Sequence, residues 1–161
     1  MRGFALGPYE GALREAVVAM KRGLRDPLTA FAMLLDRAPV GGTLVPVPTT
    51  RRRVAERGFD QSVALARLVA MRRGVTCAEL LAKRGGPQAG LGRAERLAAA
   101  GRFRLRPVTP LPAVVTLLDD VCTTGATLRD AAGVLRAAGV SVGGLVVLAR
   151  TSGTRDDPVR S

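Results

Sequence analysis

The sequence contains no histidine, and this absence removes several kinds of chemistry at once. It excludes imidazole acid–base catalysis, a Ser-His-Asp triad and histidine-containing zinc sites. Aromatic residues make up only 3% of the chain, so no base-stacking platform for single-stranded nucleic acid is evident. The two cysteines, Cys77 and Cys122, are far apart in the sequence. Since the N-terminus also lacks the apolar region of a secretory signal, we expect a cytoplasmic protein with two thiols and no disulfide.

Long apolar runs are also missing, so we expect no insertion into a membrane. A chain of 161 residues suits one domain, which we assign to residues 1–150, followed by a polar, frayed tail over residues 151–161. Hydrophobic residues make up 47% of the chain, which favours a folded core over disorder.

The charge is strongly one-sided, with a net value of +12. Lys21 and Lys83 are the only lysines, so nearly all of this basicity comes from arginine. One interpretation is the residue usage of a GC-rich genome, and the other is attraction to polyanions such as nucleic acid. Charge alone does not separate the two.

The spacing of apolar residues predicts helices that alternate with strands. The predicted helices cover residues 10–22, 27–37, 61–72, 93–100 and 127–138. The predicted strands cover residues 43–47, 103–105, 114–118 and 142–149. Residues 75–81 fit either type, and residues 83–92 read as a mobile, glycine-rich loop. This alternation predicts an α/β fold with a mostly parallel sheet covered on both faces.

Residues 114–128 are the most informative segment. A mostly apolar strand runs into Asp119 and Asp120, and a Thr-Thr-Gly-Ala-Thr loop then leads into a helix. A helix N-terminus offers N–H groups and partial positive charge to a phosphate, while the acids can accept hydrogen bonds from sugar hydroxyls. Acids and threonines are also ordinary turn and N-cap residues, but the order of all four features favours a sugar-phosphate site.

Residues 119–127 resemble the phosphoribosyl-pyrophosphate (PRPP) loop of type I phosphoribosyltransferases. The resemblance implies that family's fold, with helices flanking a mostly parallel central sheet and a small hood with a flexible loop. It implies that Asp119 and Asp120 bind the ribose of PRPP. It also implies that the 5′-phosphate is bound by Thr123, Thr124, Gly125, Ala126 and Thr127.

The segment 45–51 is a second strand that runs into a polar loop. Ligands of parallel sheets bind beyond the carboxyl ends of the strands, so this loop is expected at the same site. The resemblance places Thr49, Thr50 and Arg51 against the pyrophosphate. The alternative is a proline-rich connector with solvated arginines.

Three further stretches, in order, resemble the ComF family of amidophosphoribosyltransferase-like proteins, which is linked to competence and DNA uptake. They are Pro8-Tyr9-Glu10-Gly11, then Val45-Pro46-Val47-Pro48 with Glu56-Arg57-Gly58-Phe59-Asp60-Gln61, and finally Pro87-Gln88-Ala89-Gly90-Leu91. The resemblance implies PRPP as the ligand. It leaves nucleic acid, a competence-machinery partner and a homodimer open.

The loop from Lys83 to Arg96 corresponds to the flexible catalytic loop of these enzymes. Lys83, Arg84 and Arg93 are the candidates to meet the pyrophosphate leaving group, unless they are solvated cations of a surface loop. The resemblance implies that Mg²⁺ arrives with PRPP and has no direct protein ligand, although Asp119 and Asp120 assist through the ribose hydroxyls.

Two departures from the family pattern matter. Thr123 stands where 6-oxopurine salvage enzymes carry an aspartate that acts as base, so hypoxanthine or guanine salvage is disfavoured. The four-cysteine zinc module of many ComF-like proteins is also missing, either because this is a natural short form or because an upstream segment is absent.

The leading hypothesis is a phosphoribosyltransferase that transfers a pentosyl group from PRPP to an unidentified acceptor. A second hypothesis is a non-catalytic PRPP-responsive regulator or DNA-uptake accessory protein with a basic surface. A plain nucleic-acid-binding domain is the third, and it leaves Asp119 and Asp120 unexplained.

Overall fold

A computed structural model describes residues 2–84 and 101–151. The strands are β1 (Arg2–Pro8), β2 (Thr43–Pro46), β3 (Leu81–Lys83), β4 (Phe103–Leu105), β5 (Val114–Cys122) and β6 (Ser141–Arg150). The helices are α1 (Gly11–Lys21), α2 (Asp26–Leu34), α3 (Arg51–Arg57), α4 (Gln61–Arg73) and α5 (Ala126–Ala137), with a 3₁₀ turn at Leu35–Arg37.

Four strands form a parallel sheet in the order β1-β6-β5-β2, while β3 and β4 form a separate antiparallel pair. Helices α1, α2 and α4 cover one face of the larger sheet through residues such as Val17, Phe31 and Leu65. The other face packs against α5 and the small β3–β4 sheet, through residues such as Leu128 and Phe103. The predicted α/β class with both faces covered is therefore confirmed.

Strand register brings the carboxyl ends of β2, β5 and β6 to one edge of the sheet. Pro46 pairs with Leu118 of β5, and Asp119 pairs with Val147 of β6. The backbone N–H of Val47 then donates to the carbonyl of Leu118 at 2.8 Å. The loop after β2 therefore lies beside the acids of β5.

Most predicted elements are confirmed with small shifts at their ends, but four details were wrong or missed. Strand β1 was not predicted, and residues 51–57 form α3 where an arginine-rich loop was expected. Strand β5 continues through both aspartates to Cys122 because β6 supplies pairing partners along that whole length. Lys83 ends β3 instead of opening a mobile loop, because Lys83 pairs with Phe103 across the antiparallel sheet.

The segment 75–81 is neither a helix nor a long strand. It makes one parallel bridge between Cys77 and Leu44 and joins β3 only at Leu81. The predicted helix 93–100, most of the predicted mobile loop, and tail residues 152–161 lie outside the described residues. The assignment of residues 1–150 to a single domain stays a prediction.

Cys77 and Cys122 are both thiols, with Cys122 buried. No helix among residues 2–84 and 101–151 has the length and apolar character needed to cross a membrane.

Candidate functional site

Asp119 and Asp120 are held by the backbone at the end of β5. The N–H of Asp120 donates to Asp119 Oδ1 at 2.8 Å, and the N–H of Val121 donates to Asp120 Oδ1 at 2.6 Å. Both residues are partly accessible to solvent, in contrast to the fully buried stretch that precedes them. One oxygen of each carboxyl is thus fixed, which orients the second oxygen.

Two lysines approach the acid pair from opposite faces of the sheet. Lys21, the last residue of α1, places Nζ 3.0 Å from Asp120 Oδ2. Lys83, the last residue of β3, acts electrostatically on Asp119 and lies with Nζ 5.6 Å from the centroid of the Phe103 ring. The sequence reasoning included Lys83 in the site and missed Lys21.

Although Asp119 keeps some contact with solvent, desolvation of its carboxyl group, and after it the neighbouring charge of Asp120, raise the pKa of Asp119 to about 8. The hydrogen bond from the Asp120 N–H and the positive charges of Lys21 and Lys83 act in the opposite direction but do not cancel this rise. The raised pKa favours the protonated form of Asp119 near neutral pH, beside the Asp120–Lys21 ion pair. A protonated carboxyl donates a hydrogen bond and a carboxylate accepts one, so the pair offers both to a ligand hydroxyl.

The loop of residues 123–125 turns directly into the N-terminus of α5. Gly125 has a φ of +70°, which glycine adopts without the steric cost of a Cβ. No side chain of the described residues caps this helix; the N–H of Ala126 makes only a long contact of 3.4 Å with Thr124 Oγ1. The first turn of α5 can therefore direct its N–H groups and partial positive charge towards an anion.

Two guanidinium groups contact the same loop. Arg102 Nη1 donates to Thr127 Oγ1 at 3.0 Å, and Arg129 Nη2 donates to the Thr124 carbonyl at 2.8 Å. The backbone N–H of Arg102 also donates to the Asp130 carboxylate. This bond anchors the chain before β4 to α5. The sequence reasoning missed both arginines, because nothing local distinguishes them from the many other arginines of the chain.

The loop after β2 is organised by Asp60. Asp60 Oδ2 accepts from the Thr49 N–H at 2.8 Å, and Asp60 Oδ1 caps α4 by accepting from Ser62 and Val63 N–H groups at 3.0 and 3.3 Å. Thr50 Oγ1 accepts from the Arg53 N–H at 3.3 Å and so caps α3. The signal for Asp60 was present in the sequence, since an acid before an apolar helix is a common N-cap.

The residues predicted to bind pyrophosphate or to take part in catalysis differ in their position relative to the acid pair. Thr49 and Thr50 lie at the same sheet edge as the acids, and Arg51 is the exposed first residue of α3. Arg84 is exposed at the β3–β4 sheet, where its Nε donates to the Phe103 carbonyl at 3.3 Å. Arg93 lies outside the described residues. Their proposed roles stay predictions.

Within the described ranges, no cluster of three or more acids or cysteines is arranged to hold a metal ion. The two carboxyl groups of the acid pair offer oxygen donors of the kind that Mg²⁺ accepts. These residues fit an ion that is held mainly by the oxygens of a ligand and do not fit an ion caged by protein side chains.

The similarity of this chain to solved structures identifies its fold. Orotate phosphoribosyltransferase from Aeropyrum pernix matches with a TM-score of 0.50 and 18% identity, covering 79% of this chain and 59% of that one. The structure of the allosteric regulatory enzyme of purine biosynthesis matches with a TM-score of 0.51 and 19% identity, covering 81% and 25% respectively. The chain has the phosphoribosyltransferase fold.

This likeness is one of fold, because identity is below 20% and the chain spans less than two thirds of either matched chain. No protein-family model matches the chain, and no curated protein matches it. The predicted phosphoribosyltransferase fold is confirmed. Its acid pair and threonine–glycine loop lie at the carboxyl edge of the sheet, where ligands of such folds bind.

Proposed function

We propose that this protein binds PRPP and transfers its phosphoribosyl group, with release of pyrophosphate, to an acceptor that stays unidentified. One observation carries the proposal. The partly accessible pair Asp119 and Asp120 lies near the carboxyl end of a central parallel strand, and a threonine–glycine loop leads from that strand into the N-terminus of α5. The phosphoribosyltransferase fold supports the same assignment.

The two halves of this feature suit the two halves of a ribose phosphate. A ribose 2′,3′-diol needs both donors and acceptors, and Asp119 with its proton next to the Asp120 carboxylate supplies them. The 5′-phosphate would lie at residues 123–127, where the helix N-terminus stabilises negative charge. The Arg102 guanidinium, bonded to Thr127, adds positive charge at this position.

The pyrophosphate would leave towards the loop after β2 and the β3–β4 sheet. Thr49, Thr50 and Arg51 belong to that loop, and Lys83 and Arg84 lie at the end of β3. As the bond from C1 to pyrophosphate breaks, positive charge develops on the sugar ring and negative charge on the leaving group. Cations on that side stabilise the departing charge, and Mg²⁺ bound to the phosphates would supply further neutralisation.

The acceptor substrate is not identified, because position 123 carries no titratable side chain that could act as a base towards a purine. Thr123 is exposed at the start of the proposed phosphate loop and cannot act as a base near neutral pH. We therefore expect no turnover with hypoxanthine or guanine. Other bases and amines are the acceptors to screen.

A second candidate is a ComF-type, non-catalytic PRPP-responsive protein that uses a basic surface on nucleic acid or a competence partner. The observation that favours it is α3, which exposes Arg51, Arg52 and Arg53 in its first turn, on a chain of net charge +12. Both candidate functions are compatible with a cytoplasmic protein and with a homodimer, so neither property helps to choose between them.

Pyrophosphate release separates the two. The purified protein is incubated with PRPP, Mg²⁺ and a panel of bases and amines, and pyrophosphate is measured over time. Acceptor-dependent release supports the transferase. PRPP binding without release for any acceptor would favour the regulator, and absence of both binding and release would overturn both.

A further inference from the structure

Both lysines of the chain act on the acid pair, Lys21 by an ion pair and Lys83 electrostatically, although lysine is rare in this protein. Of its 25 basic residues only Lys21 and Lys83 are lysines, and they belong to elements on opposite faces of the sheet. Each of them acts electrostatically on Asp119. Lys83 was expected near the site from the sequence, whereas Lys21 was not assigned any role.

Lys21 is bound to the acid that faces α1. Its Nζ lies 3.0 Å from Asp120 Oδ2, and the two side chains keep 30% and 20% of their surfaces exposed. This exposure is small enough to strengthen the ion pair beyond that of a fully solvated one. It is also large enough for a ligand to reach the same carboxylate.

The carboxylate of Asp120 is thus constrained at both oxygens. Oδ1 accepts from the Val121 N–H, and Oδ2 pairs with the ammonium of Lys21. A carboxylate oxygen has more than one lone-pair direction, so Oδ2 can still accept from a ligand hydroxyl while Lys21 remains in place. An ammonium is compact, and it occupies only one of these directions.

We propose that Lys21 is a positioning residue of the ribose subsite, which holds the Asp120 carboxylate in the orientation that accepts a hydrogen bond from the sugar diol. This inference rests on the proposed function and adds a residue to it from α1. Lys21 also balances the charge of the acid pair when a phosphorylated ligand approaches.

The first test compares PRPP binding by calorimetry, in the presence of Mg²⁺, for wild type, Lys21→Met, Lys21→Arg and Arg22→Met. Arg22 is the exposed neighbour of Lys21, so Arg22→Met removes the same charge without the contact to Asp120. We expect Lys21→Met to bind PRPP about tenfold more weakly. A loss of this size is typical when one hydrogen bond to a charged group is removed. Lys21→Arg should recover most of the loss, and Arg22→Met should change affinity by less than about twofold.

The outcomes separate the two claims. Wild-type affinity in Lys21→Met would overturn the role of Lys21 and leave the proposed function intact. A loss in Lys21→Met that Lys21→Arg does not recover, or that Arg22→Met matches, would also overturn it. No binding of PRPP by the wild-type protein would overturn the proposed function and this inference with it. Thermal unfolding of each variant identifies any loss that comes from misfolding.

The second test needs no turnover and uses the scarcity of lysine. Protein labelled with ¹³C and ¹⁵N only in lysine gives side-chain signals from Lys21 and Lys83 alone, and Lys21→Arg assigns them. We expect Asp120→Asn to shift the Lys21 signal in the ligand-free protein, and PRPP to shift it in the wild type. A Lys21 signal that neither change moves would contradict the contact and the role.

Discussion

The acid pair makes a prediction about stability because folding raises the pKa of Asp119. Its folded-state pKa of about 8 lies above the ordinary value of 3.8. Between these values the folded state binds more protons than the unfolded state, so the free energy of unfolding falls as the pH rises. The associated stability is fully present below about pH 4 and is lost progressively as the pH rises towards 8.

The magnitude follows from the size of the shift. The rise from 3.8 to about 8 corresponds, at about 1.4 kcal/mol per pKa unit, to an upper bound of roughly 6 kcal/mol. Asp119 is partly accessible to solvent and its neighbours can rearrange, so we expect a realised loss of about 1–3 kcal/mol. Asp119→Asn removes the titration while keeping the shape of the side chain. It should therefore be more stable than wild type at pH 8 by about that amount, and closer to it at pH 5.

Urea unfolding at half-unit steps between pH 5 and 8.5 measures this difference. The window is unusually clean because the chain has no histidine to titrate within it. Asp36→Asn is the matched control, since the hydrogen bond from Arg72 keeps the pKa of Asp36 below its usual value and outside the window. Its profile should run parallel to that of wild type. A profile for Asp119→Asn that also runs parallel to that of wild type would contradict a raised pKa of Asp119.

Three further predictions test the surroundings of the site. Asp60→Ala should lower the free energy of unfolding by about 1–2 kcal/mol, because it removes the α4 cap and the Thr49 anchor, and urea unfolding checks it. Gly125→Ala should cost about 1 kcal/mol in the same assay because φ is +70°; unchanged stability would contradict the strain argument. Arg102→Ala should weaken PRPP binding about tenfold in calorimetry, while exposed Arg104→Ala, the control on β4, should bind like wild type.

Local sequence patterns were sufficient where burial is continuous. The strand at residues 114–118 was predicted because its side chains are mostly apolar, and the structure buries residues 115–118 fully. Helices α1 and α5 were predicted because each carries one apolar face that packs on the sheet. These elements fixed the predicted fold and the place of the acid pair.

The missed elements depend on partners that are distant in the sequence. Strand β1 contains Gly3, Gly7 and Pro8, which lower the β-strand propensity of the segment. The strand forms because it pairs in parallel with β6. The extension of β5 through Asp119 and Asp120 likewise comes from pairing with β6. The ion pair of Lys21 with Asp120 joins α1 to β5, and no local pattern reports such a contact.

In the proposed function, the acid pair and its loop form a PRPP site. Calorimetric titration of PRPP with Mg²⁺ into wild type and into the double variant Asp119→Asn/Asp120→Asn tests it most directly. We predict saturable binding by the wild type and at least about a hundredfold weaker binding by a folded double variant, since two hydrogen-bonding carboxyl groups are lost. Equal binding by both proteins, or no binding by the wild type, would contradict the claim.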